Sequence, residues 1–253
     1  MWMLLHGFMG APASWDAVIS AAGFDEQTIR PRLLGHGDDW AHNTSTSFET
    51  EVDRLGALAA QMTEPRYLGG YSLGARVGVG LLARYPDLFA GALFIGLHPG
   101  LEDEPTRRSR RALDQGRAET LRGQGVSAFV DAWERLPLFA TQARLSEATA
   151  ATQRQIRTEH DAEGLARSLE VLGLGSMPHY PSKAWAQKPA ITLMAGELDP
   201  KFRDLAFLAS DSAPGIEVVI VEGAGHNLLI EGSRQVAREI KELEARARGR
   251  RFR

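Results

Sequence analysis

Short apolar runs alternate with amphipathic stretches along most of this chain, a pattern that is typical of a parallel sheet flanked by helices. The apolar runs predict strands at Met3–Leu5, Thr28–Arg32, Tyr67–Gly69, Ala92–Ile95, Ile191–Ala195 and Val218–Val221. The amphipathic stretches predict helices at Ser14–Ala22, Ser47–Met62, Leu73–Tyr85, Phe202–Ser210 and Ser233–Arg246. At the second of these helices, Thr46 and Glu49 have the spacing of a capping box.

The alternation is interrupted between Leu101 and Ser182, where the sequence has helical periodicity and few β-branched residues. A long stretch without a strand between two buried strands favours a helical insertion over ordinary helices that flank the sheet. Such an insertion would lie over the carboxyl ends of the strands, where open α/β sheets bind ligands. We therefore predict an α/β core of residues 1–100 and 183–253 and a helical cap of residues 101–182.

The composition is that of an ordinary globular protein, with 43% hydrophobic and 24% charged residues among 253. The formal net charge of −3 provides no electrostatic reason to expect a nucleic acid or a membrane as partner. The absence of cysteine excludes disulfides, thiolate metal sites and a cysteine nucleophile, and nothing in the chain indicates a metal or another cofactor. No apolar run approaches the roughly 18 residues of a membrane-spanning helix, and the N-terminus leads into a strand rather than a signal peptide. We therefore expect a cytoplasmic protein, whose oligomeric state the sequence leaves open.

The pentapeptide Gly70-Tyr71-Ser72-Leu73-Gly74 matches the G-x-S-x-G nucleophile elbow, in which a serine lies on a strained turn between a strand and a helix. Glycines are needed on both sides because side chains there would collide with neighbouring backbone. The flanking sequence has the required context, since a predicted strand precedes the serine and a helix that ends before Pro86 follows it. The motif therefore predicts that the Ser72 hydroxyl lies above the carboxyl edge of the sheet.

A serine hydroxyl becomes reactive when a histidine takes its proton and an acid orients that histidine. Two loops downstream of Ser72 offer these groups at the same edge of the sheet, with Asp199 after one apolar strand and His226 after the next. Glu197 and Asp204 are rival acids, but the proline after Asp199 favours an extended approach at the loop. The predicted catalytic triad is Ser72, Asp199 and His226. The histidines in or beside the predicted cap are interpreted as surface or structural groups: His98, His160 and His179.

Catalysis by such a serine also needs donors aimed at negative charge that develops on a substrate oxygen. The backbone N–H of Leu73, at the start of the helix after the serine, is the first candidate. The loop His6–Gly10 after the first strand supplies the second, which we assign to the N–H of Phe8. The Phe8 ring can pack in the core at the same time, because the two roles use different parts of the residue.

These motifs resemble, in order along most of the chain, those of the α/β-hydrolase superfamily, including its supporting G-H-G loop at residues 35–37. Four strings resemble, within that superfamily, the 2-succinyl-6-hydroxy-2,4-cyclohexadiene-1-carboxylate synthases of menaquinone biosynthesis: Leu5–Gly10, Gly70–Arg76, His98–Leu101 and Asp199–Arg203. The resemblance implies an α/β-hydrolase fold with a helical cap and a mostly parallel sheet of about six strands, without the usual N-terminal hairpin. Leu34 departs from the family pattern, which has a proline before the G-H-G loop.

The resemblance implies a lyase rather than a hydrolase. Family members eliminate pyruvate from a cyclohexene that carries several carboxylates, so a small anionic molecule is the expected partner. Ser72, deprotonated by His226, would take a proton from the carbon skeleton of that substrate. The alternative is a carboxylesterase or C–C bond hydrolase that uses Ser72 as nucleophile through an acyl-enzyme. A ligand-binding relative without catalysis is a third hypothesis, and the intact triad argues against it.

A substrate with several carboxylates favours arginines in the cap, because the planar guanidinium binds carboxylates in a bidentate manner. The resemblance implies that five residues bind substrate: Tyr71, Arg76, Arg110, Trp133 and Arg157. Arginines also crowd the region between Arg107 and Arg111, and these two would repel each other at i,i+4 unless an anion lies there. The alternative is a solvated helix whose arginines are balanced by carboxylates of the same segment, namely Glu102, Asp103, Glu104 and Asp114.

Overall fold

The computed structural model describes residues 1–23, 27–187 and 189–251, and its centre is a six-stranded parallel sheet. The strands are β1 (Trp2–Leu5), β2 (Thr28–Ile29), β3 (Tyr67–Tyr71), β4 (Gly91–Ile95), β5 (Ala190–Gly196) and β6 (Ile216–Val221). Their order across the sheet is β2-β1-β3-β4-β5-β6. Parallel strands direct their carboxyl ends to one edge, so the loops that follow them converge there.

Helices connect these strands. They are α1 (Asp16–Ala22), α2 (Phe48–Ala60), α3 (Leu73–Arg84), α4 (Glu104–Glu134), α5 (Glu147–Thr158), α6 (Ala162–Leu172), α7 (Pro200–Ser212), α8 (Leu228–Glu231) and α9 (Ser233–Arg251). Short 3₁₀ helices form at Pro12–Trp15, Trp40–His42, Pro137–Arg144 and Ser182–Ala184. Gly125 has non-helical backbone angles, φ 78° and ψ 171°, so α4 consists of two helical segments joined at a kink. Among the described residues, no helix is both long and apolar enough to cross a membrane.

Apolar clusters cover the two faces of the sheet. One cluster contains side chains of α2, α3 and α7, such as Val52 and Ala206. The other contains side chains of α1 and α9, such as Ile19 and Ile240. A third, smaller cluster joins Met9, which follows β1, to buried side chains of α4 and α6. The helices inserted between β4 and β5 are thereby anchored to the loop after β1.

The predicted parallel sheet and the helical insertion between β4 and β5 are confirmed. The described residues from 96 to 187 contain α4, α5 and α6 and no strand. The predicted second strand is too long, since β2 pairs with β1 only through Thr28 and Ile29. Pro31 has no N–H to donate to a neighbouring strand, and the carbonyl of Arg32 accepts a hydrogen bond from Arg54 at 3.0 Å instead.

The capping box at the start of α2 is shifted by one residue from its predicted position. Ser47, rather than Thr46, is the N-cap, and its Oγ accepts the N–H of Thr50 at 3.2 Å. The Thr50 hydroxyl accepts the N–H of Ser47 at 2.9 Å, which is the role expected of Glu49. The prediction was wrong because a threonine hydroxyl completes the box here in place of a carboxylate.

Candidate active site

Ser72 follows β3 directly and begins the turn into α3. Its backbone has φ 52° and ψ −104°, a sparsely populated conformation for any residue other than glycine. A Cβ on Gly70 would lie 2.7 Å from the backbone nitrogen of Ala75, and one on Gly74 would lie 2.3 Å from the carbonyl oxygen of Leu5. Close approach of the backbone therefore requires both glycines, as the motif predicts.

The side chains of Ser72, His226 and Asp199 form a continuous hydrogen-bonded chain at the carboxyl edge of the sheet. Oγ of Ser72 lies 3.1 Å from Nε2 of His226, and Nδ1 of His226 lies 2.7 Å from Oδ2 of Asp199. His226 is 2% exposed and Asp199 is 5% exposed, so water does not compete for the bond between them. The rival acids lie elsewhere, since Glu197 accepts a backbone N–H of the loop after β6 at 2.8 Å and Asp204 forms an exposed ion pair.

Close packing positions the His226 ring. A Cβ on Gly96, directly after β4, would lie 2.6 Å from Cε1 of this ring. The ring of Phe202, in α7, packs against it with 4.6 Å between the ring centres. A Cβ on Gly196 would lie 2.1 Å from the carbonyl oxygen of Gly225, so the loops after β5 and β6 are in direct backbone contact. The acid and the histidine that these loops carry are therefore held in a defined relation.

The predicted oxyanion donors are the N–H groups of Phe8 and Leu73, which donate no hydrogen bond within the part of the chain that the structure describes. Both residues line the same cavity as Ser72. The loop that carries Phe8 is strained at Met9, with φ 54°, and the Met9 N–H donates to Nε2 of His36 at 3.1 Å. The stabilisation of an oxyanion requires N–H donors that have no other acceptor and lie on firmly held backbone, and both groups meet this requirement within the described residues.

Three buried histidines, His6, His36 and His160, pack together beside this loop. The ring centres of His6 and His36 are 4.7 Å apart, and those of His36 and His160 are 5.3 Å apart. Each ring accepts a backbone N–H, and burial lowers the pKa of all three, that of His6 to about 3. The rings are therefore neutral at physiological pH and act as structural acceptors, in agreement with the interpretation of His160 from the sequence.

A cavity of about 350 Å³ lies between Ser72 and the inserted helices. Of the predicted site residues, seven line it: Phe8, Ser72, Leu73, Arg76, Arg110, Trp133 and His226. A mostly apolar wall is added by residues 136–138, 168–169 and 172–174. The described lining contains no carboxylate, whereas it contains four cationic side chains: Arg76, Arg110, Arg117 and Lys201. An apolar cavity with converging cations fits a small anionic molecule.

The cations of this cavity lower one another's pKa values. Burial is the main cause that lowers the pKa of Arg76 to about 10, and the positive charge of the neighbouring Arg110 is the second. The same two causes lower the pKa values of Arg117 and Lys201. The buried carboxylate of Asp114 compensates part of this charge, because it accepts hydrogen bonds from Arg110 at 2.9 Å and from Arg117 at 3.2 Å. Within the described residues, no group of His, Asp or Glu side chains is placed to hold a metal ion.

The structure does not bring Arg157 or Tyr71 into the lining of this cavity. Arg157 is 7% exposed and donates to Oε1 of Glu134 at 2.9 Å. Together with Tyr71 it lines a smaller cavity of about 30 Å³, which has room for about two water molecules. Glu134 pairs with Arg157, and the Tyr71 ring packs 5.4 Å from that of His226, so the contact of these two residues with substrate stays a prediction.

Of the two alternatives for Arg107 and Arg111, the structure favours the one without a bound ligand, because the Glu104 carboxylate lies between them. Arg111 forms a hydrogen-bonded ion pair with Glu104 and donates to the carbonyl of Gly175 at 3.0 Å, while Nε of Arg107 lies 3.7 Å from Glu104. The charges of these two arginines are therefore compensated by a carboxylate of their own helix. Arg110 differs from them because it lines the cavity.

Sequence reasoning assigned no role to three further residues of the cavity lining, Arg117, Lys201 and Phe202. Arg117 carries a signal that could have found it, because it follows Arg110 by about two helical turns and so lies on the same face. His98 also lines the cavity, although the sequence suggested a surface or structural group, and burial lowers its pKa to about 4.

Similarity to known proteins extends over nearly the whole chain. The alpha/beta hydrolase family matches residues 3–239. A 2-succinyl-6-hydroxy-2,4-cyclohexadiene-1-carboxylate synthase of Enterobacter sp. (strain 638) is 30% identical, covering 93% of this chain and 88% of that protein. A protein of Bacillus subtilis (strain 168), provisionally named as the same synthase, is 31% identical over 94% of this chain and 88% of its own length. Among solved structures, MenH from S. aureus superposes with a TM-score of 0.90 at 25% identity, covering 98% of this chain and 94% of that chain.

Proposed function

The chain belongs to the alpha/beta hydrolase family, and we propose that it is a lyase rather than a hydrolase. Its substrate would be a cyclohexene with several carboxylates, from which pyruvate is eliminated. The product would be 2-succinyl-6-hydroxy-2,4-cyclohexadiene-1-carboxylate, an intermediate of menaquinone biosynthesis. The names of the relatives from Enterobacter and Bacillus subtilis support this product. The cytoplasmic location predicted from the sequence stays a prediction.

The observation that carries the proposal is the excess of positive charge in the cavity at Ser72. Four cationic side chains line it, and no carboxylate is among its described lining residues. The proposed product has one carboxylate on its ring and one on its succinyl chain, and the departing pyruvate carries another. Such a substrate would neutralise most of the charge. A neutral ester would leave the cations uncompensated beside an apolar ligand.

In the proposed reaction, His226 takes the proton of the Ser72 hydroxyl, and the resulting alkoxide takes a proton from a ring carbon of the substrate. The electron pair of that C–H bond forms a ring double bond, and the C–O bond to the pyruvyl group breaks. The leaving group departs as the enolate of pyruvate and receives a proton from the imidazolium of His226. No atom is oxidised or reduced, and no acyl-enzyme forms.

The neighbouring groups would assist this proton transfer. Asp199 would stabilise the imidazolium that forms when His226 takes the serine proton. The N–H groups of Phe8 and Leu73 would bind the substrate oxygen on which negative charge builds up. Arg76 lies one helical turn after Ser72 and would hold a carboxylate close to the reacting carbon.

A carboxylesterase is the second candidate. The 3.1 Å between Oγ of Ser72 and Nε2 of His226 favours it, because the same geometry suits nucleophilic attack on a carbonyl carbon. The two functions differ in the fate of the serine, which becomes acylated in an esterase or a C–C bond hydrolase and stays free in the lyase.

The test is to incubate the protein with the cyclohexene precursor that still carries its pyruvyl group, and to follow pyruvate with lactate dehydrogenase. We expect the wild type to release pyruvate and the Ser72→Ala variant to fall to background. Hydrolysis of p-nitrophenyl acetate is measured in parallel. An absence of pyruvate, together with brisk ester hydrolysis that Ser72→Ala abolishes, would favour the esterase, and the absence of both activities would favour a binding protein.

A further inference from the structure

Arg110 and Arg117 line the cavity from one helix, and the buried carboxylate of Asp114 lies between them. We infer that Arg117 is a specificity-determining residue, which together with Arg110 binds one carboxylate of the substrate through their guanidinium groups. This inference rests on the function proposed above. It adds a binding residue that neither the sequence motifs nor the family resemblance indicates.

The helix brings the three side chains to one face. Asp114 lies four residues after Arg110 and three before Arg117, which is about one turn from each. Its Oδ2 accepts from Nε of Arg110 at 2.9 Å, and its Oδ1 accepts from Nη1 of Arg117 at 3.2 Å. Asp114 is only 2% exposed, so its carboxylate has little freedom to move and holds both guanidinium groups near each other.

Both guanidinium groups keep donors for a ligand. Arg110 uses only Nε and Arg117 uses only Nη1 in hydrogen bonds to the described residues. A guanidinium has five N–H donors in a planar fork, so most donors of both side chains have no acceptor in the described protein. The side chains are 27% and 23% exposed, respectively, and both line the cavity. This arrangement suits bidentate binding of a carboxylate.

Trp133 orients Arg117 before a ligand binds. Cζ of Arg117 lies 5.3 Å from the centre of the Trp133 ring, and that ring lies 5.3 Å from the ring of Phe8. Phe8 carries one of the proposed oxyanion donors. Direct contacts therefore connect Arg117 with the reacting end of the cavity. A guanidinium held by a carboxylate and an indole loses little freedom on binding, which favours affinity.

The charges of the pair are incomplete without an anion. One carboxylate compensates two guanidinium groups, and Arg110 adds to the effect of burial in lowering the pKa of Arg117. A carboxylate bound between the two arginines would remove this repulsion, whereas a neutral ligand would not. A purely structural role for Arg117 has less support, since Asp114 already has a partner in Arg110.

The test compares Arg117→Gln with Arg111→Gln, a variant that removes a charge from the same helix outside the cavity. Each is assayed for pyruvate release from the precursor and for hydrolysis of neutral p-nitrophenyl acetate. We expect Arg117→Gln to lower kcat/KM for the precursor by about 10- to 100-fold, mainly through KM, with ester hydrolysis nearly unchanged. Arg111→Gln should change neither activity. Arg117→Lys should recover part of the loss, because lysine restores the charge without the planar fork.

The outcomes separate this inference from the proposed function. Equal kcat/KM in the two glutamine variants, with an active wild type, would overturn the inference alone. A wild type that releases no pyruvate would overturn the proposed function, and calorimetric titration with tricarballylate, an acid with three carboxylates, would then test the site. Weaker tricarballylate binding by Arg117→Gln than by Arg111→Gln would support the inference, and equal binding would overturn it. If Arg117→Gln shows no cooperative thermal unfolding, it is not folded and Arg117→Lys is used instead. A KM of Arg117→Lys for the precursor equal to that of the wild type would then overturn the inference.

Discussion

Oδ2 of Asp199 accepts a hydrogen bond from Nδ1 of His226 at 2.7 Å, and both side chains are almost completely buried. A proton held on Nδ1 leaves Nε2, which faces Ser72, free to accept the proton of the hydroxyl. The carboxylate thereby selects the histidine tautomer that can act as a base.

The substitution Asp199→Asn tests this relationship, because the amide keeps the shape of the side chain and loses its charge. The amide can donate to Nδ1, which would place the ring proton on Nε2 and block proton transfer from Ser72. We expect kcat for pyruvate release to fall on the order of 10³- to 10⁴-fold, as measured by steady-state kinetics. Asp204→Asn, at an exposed acid, is the matched control. A loss at Asp199 no larger than at Asp204 would show that Asp199 does not orient His226.

Gly74→Ala should destabilise the fold, because its methyl group would lie 2.3 Å from the carbonyl oxygen of Leu5 in the sheet. We expect the free energy of unfolding to fall by about 1–3 kcal/mol in chemical denaturation, since neither backbone can yield easily. Gly116→Ala, in α4, is the control, because its added Cβ would have no described atom within 4 Å apart from the adjacent residues and the backbone of its own helix. That substitution should raise the free energy of unfolding by about 1 kcal/mol. Effects of the same sign at both positions would contradict the role of close packing at Gly74.

The buried histidines predict that stability falls with pH below neutrality. Burial lowers the pKa of His6 to about 3 in the folded protein, whereas a histidine in an unfolded chain has a pKa near 6.5. Between these values the unfolded chain binds a proton that the folded chain does not. The contribution of His6 is therefore complete above about pH 6.5 and is lost progressively as the pH falls toward 3, by up to about 1.4 kcal/mol per pH unit.

Urea denaturation at several pH values between about 6.5 and 5 measures this dependence, in a range above the ordinary pKa values of carboxylates. His6→Gln should give a shallower fall of the free energy of unfolding with decreasing pH than the wild type. The same substitution at exposed His42 is the control and should retain the wild-type slope. A wild-type slope in His6→Gln would mean that His6 takes up its proton in the folded protein as readily as in the unfolded chain.

Arg110→Ala should impair the reaction of the carboxylate-bearing precursor far more than that of a neutral ester, because the guanidinium lines the cavity beside Ser72. We expect kcat/KM for pyruvate release to fall by at least about 10-fold, while hydrolysis of p-nitrophenyl acetate changes little. Arg108→Ala, at an exposed position on the same helix, controls for the loss of one charge. An equal loss of both activities in Arg110→Ala would show that this arginine supports the fold rather than the substrate.

The sheet and the elbow could be predicted because their determinants are local. The run before Ser72 is apolar, both glycines are required by contacts of the turn, and the order of the loops along the chain places Asp199 and His226 at the same edge. A parallel sheet converts that order into proximity without further information. Local patterns were less reliable at Thr46, where a shift of one residue moves the cap by about 100° around the helix.

The cap residues could not be predicted in the same way, because their partners come from distant elements. Whether Arg157 meets a substrate depends on Glu134, a residue of α4 that pairs with it across the insertion. Whether the charges of Arg107 and Arg111 are compensated within the helix depends on the direction of the Glu104 side chain. Spacing along the helix indicates which residues share a face, but the packing of α4 decides which face meets the cavity.

Ser72 directly precedes the first residue of α3, and the N–H of Arg76 in that helix donates to the carbonyl of Ser72 at 3.1 Å. Their Cα atoms are therefore about 6 Å apart along the axis of α3, a length that the peptide geometry sets. A rearrangement of the inserted helices would leave this length unchanged, whereas it would alter the distance from Ser72 to Arg110. In the proposed reaction, α3 thus fixes the distance between the residue that binds a carboxylate, Arg76, and the residue that takes the proton, Ser72. Substrates are then selected by the separation between that carboxylate and the C–H bond that is broken.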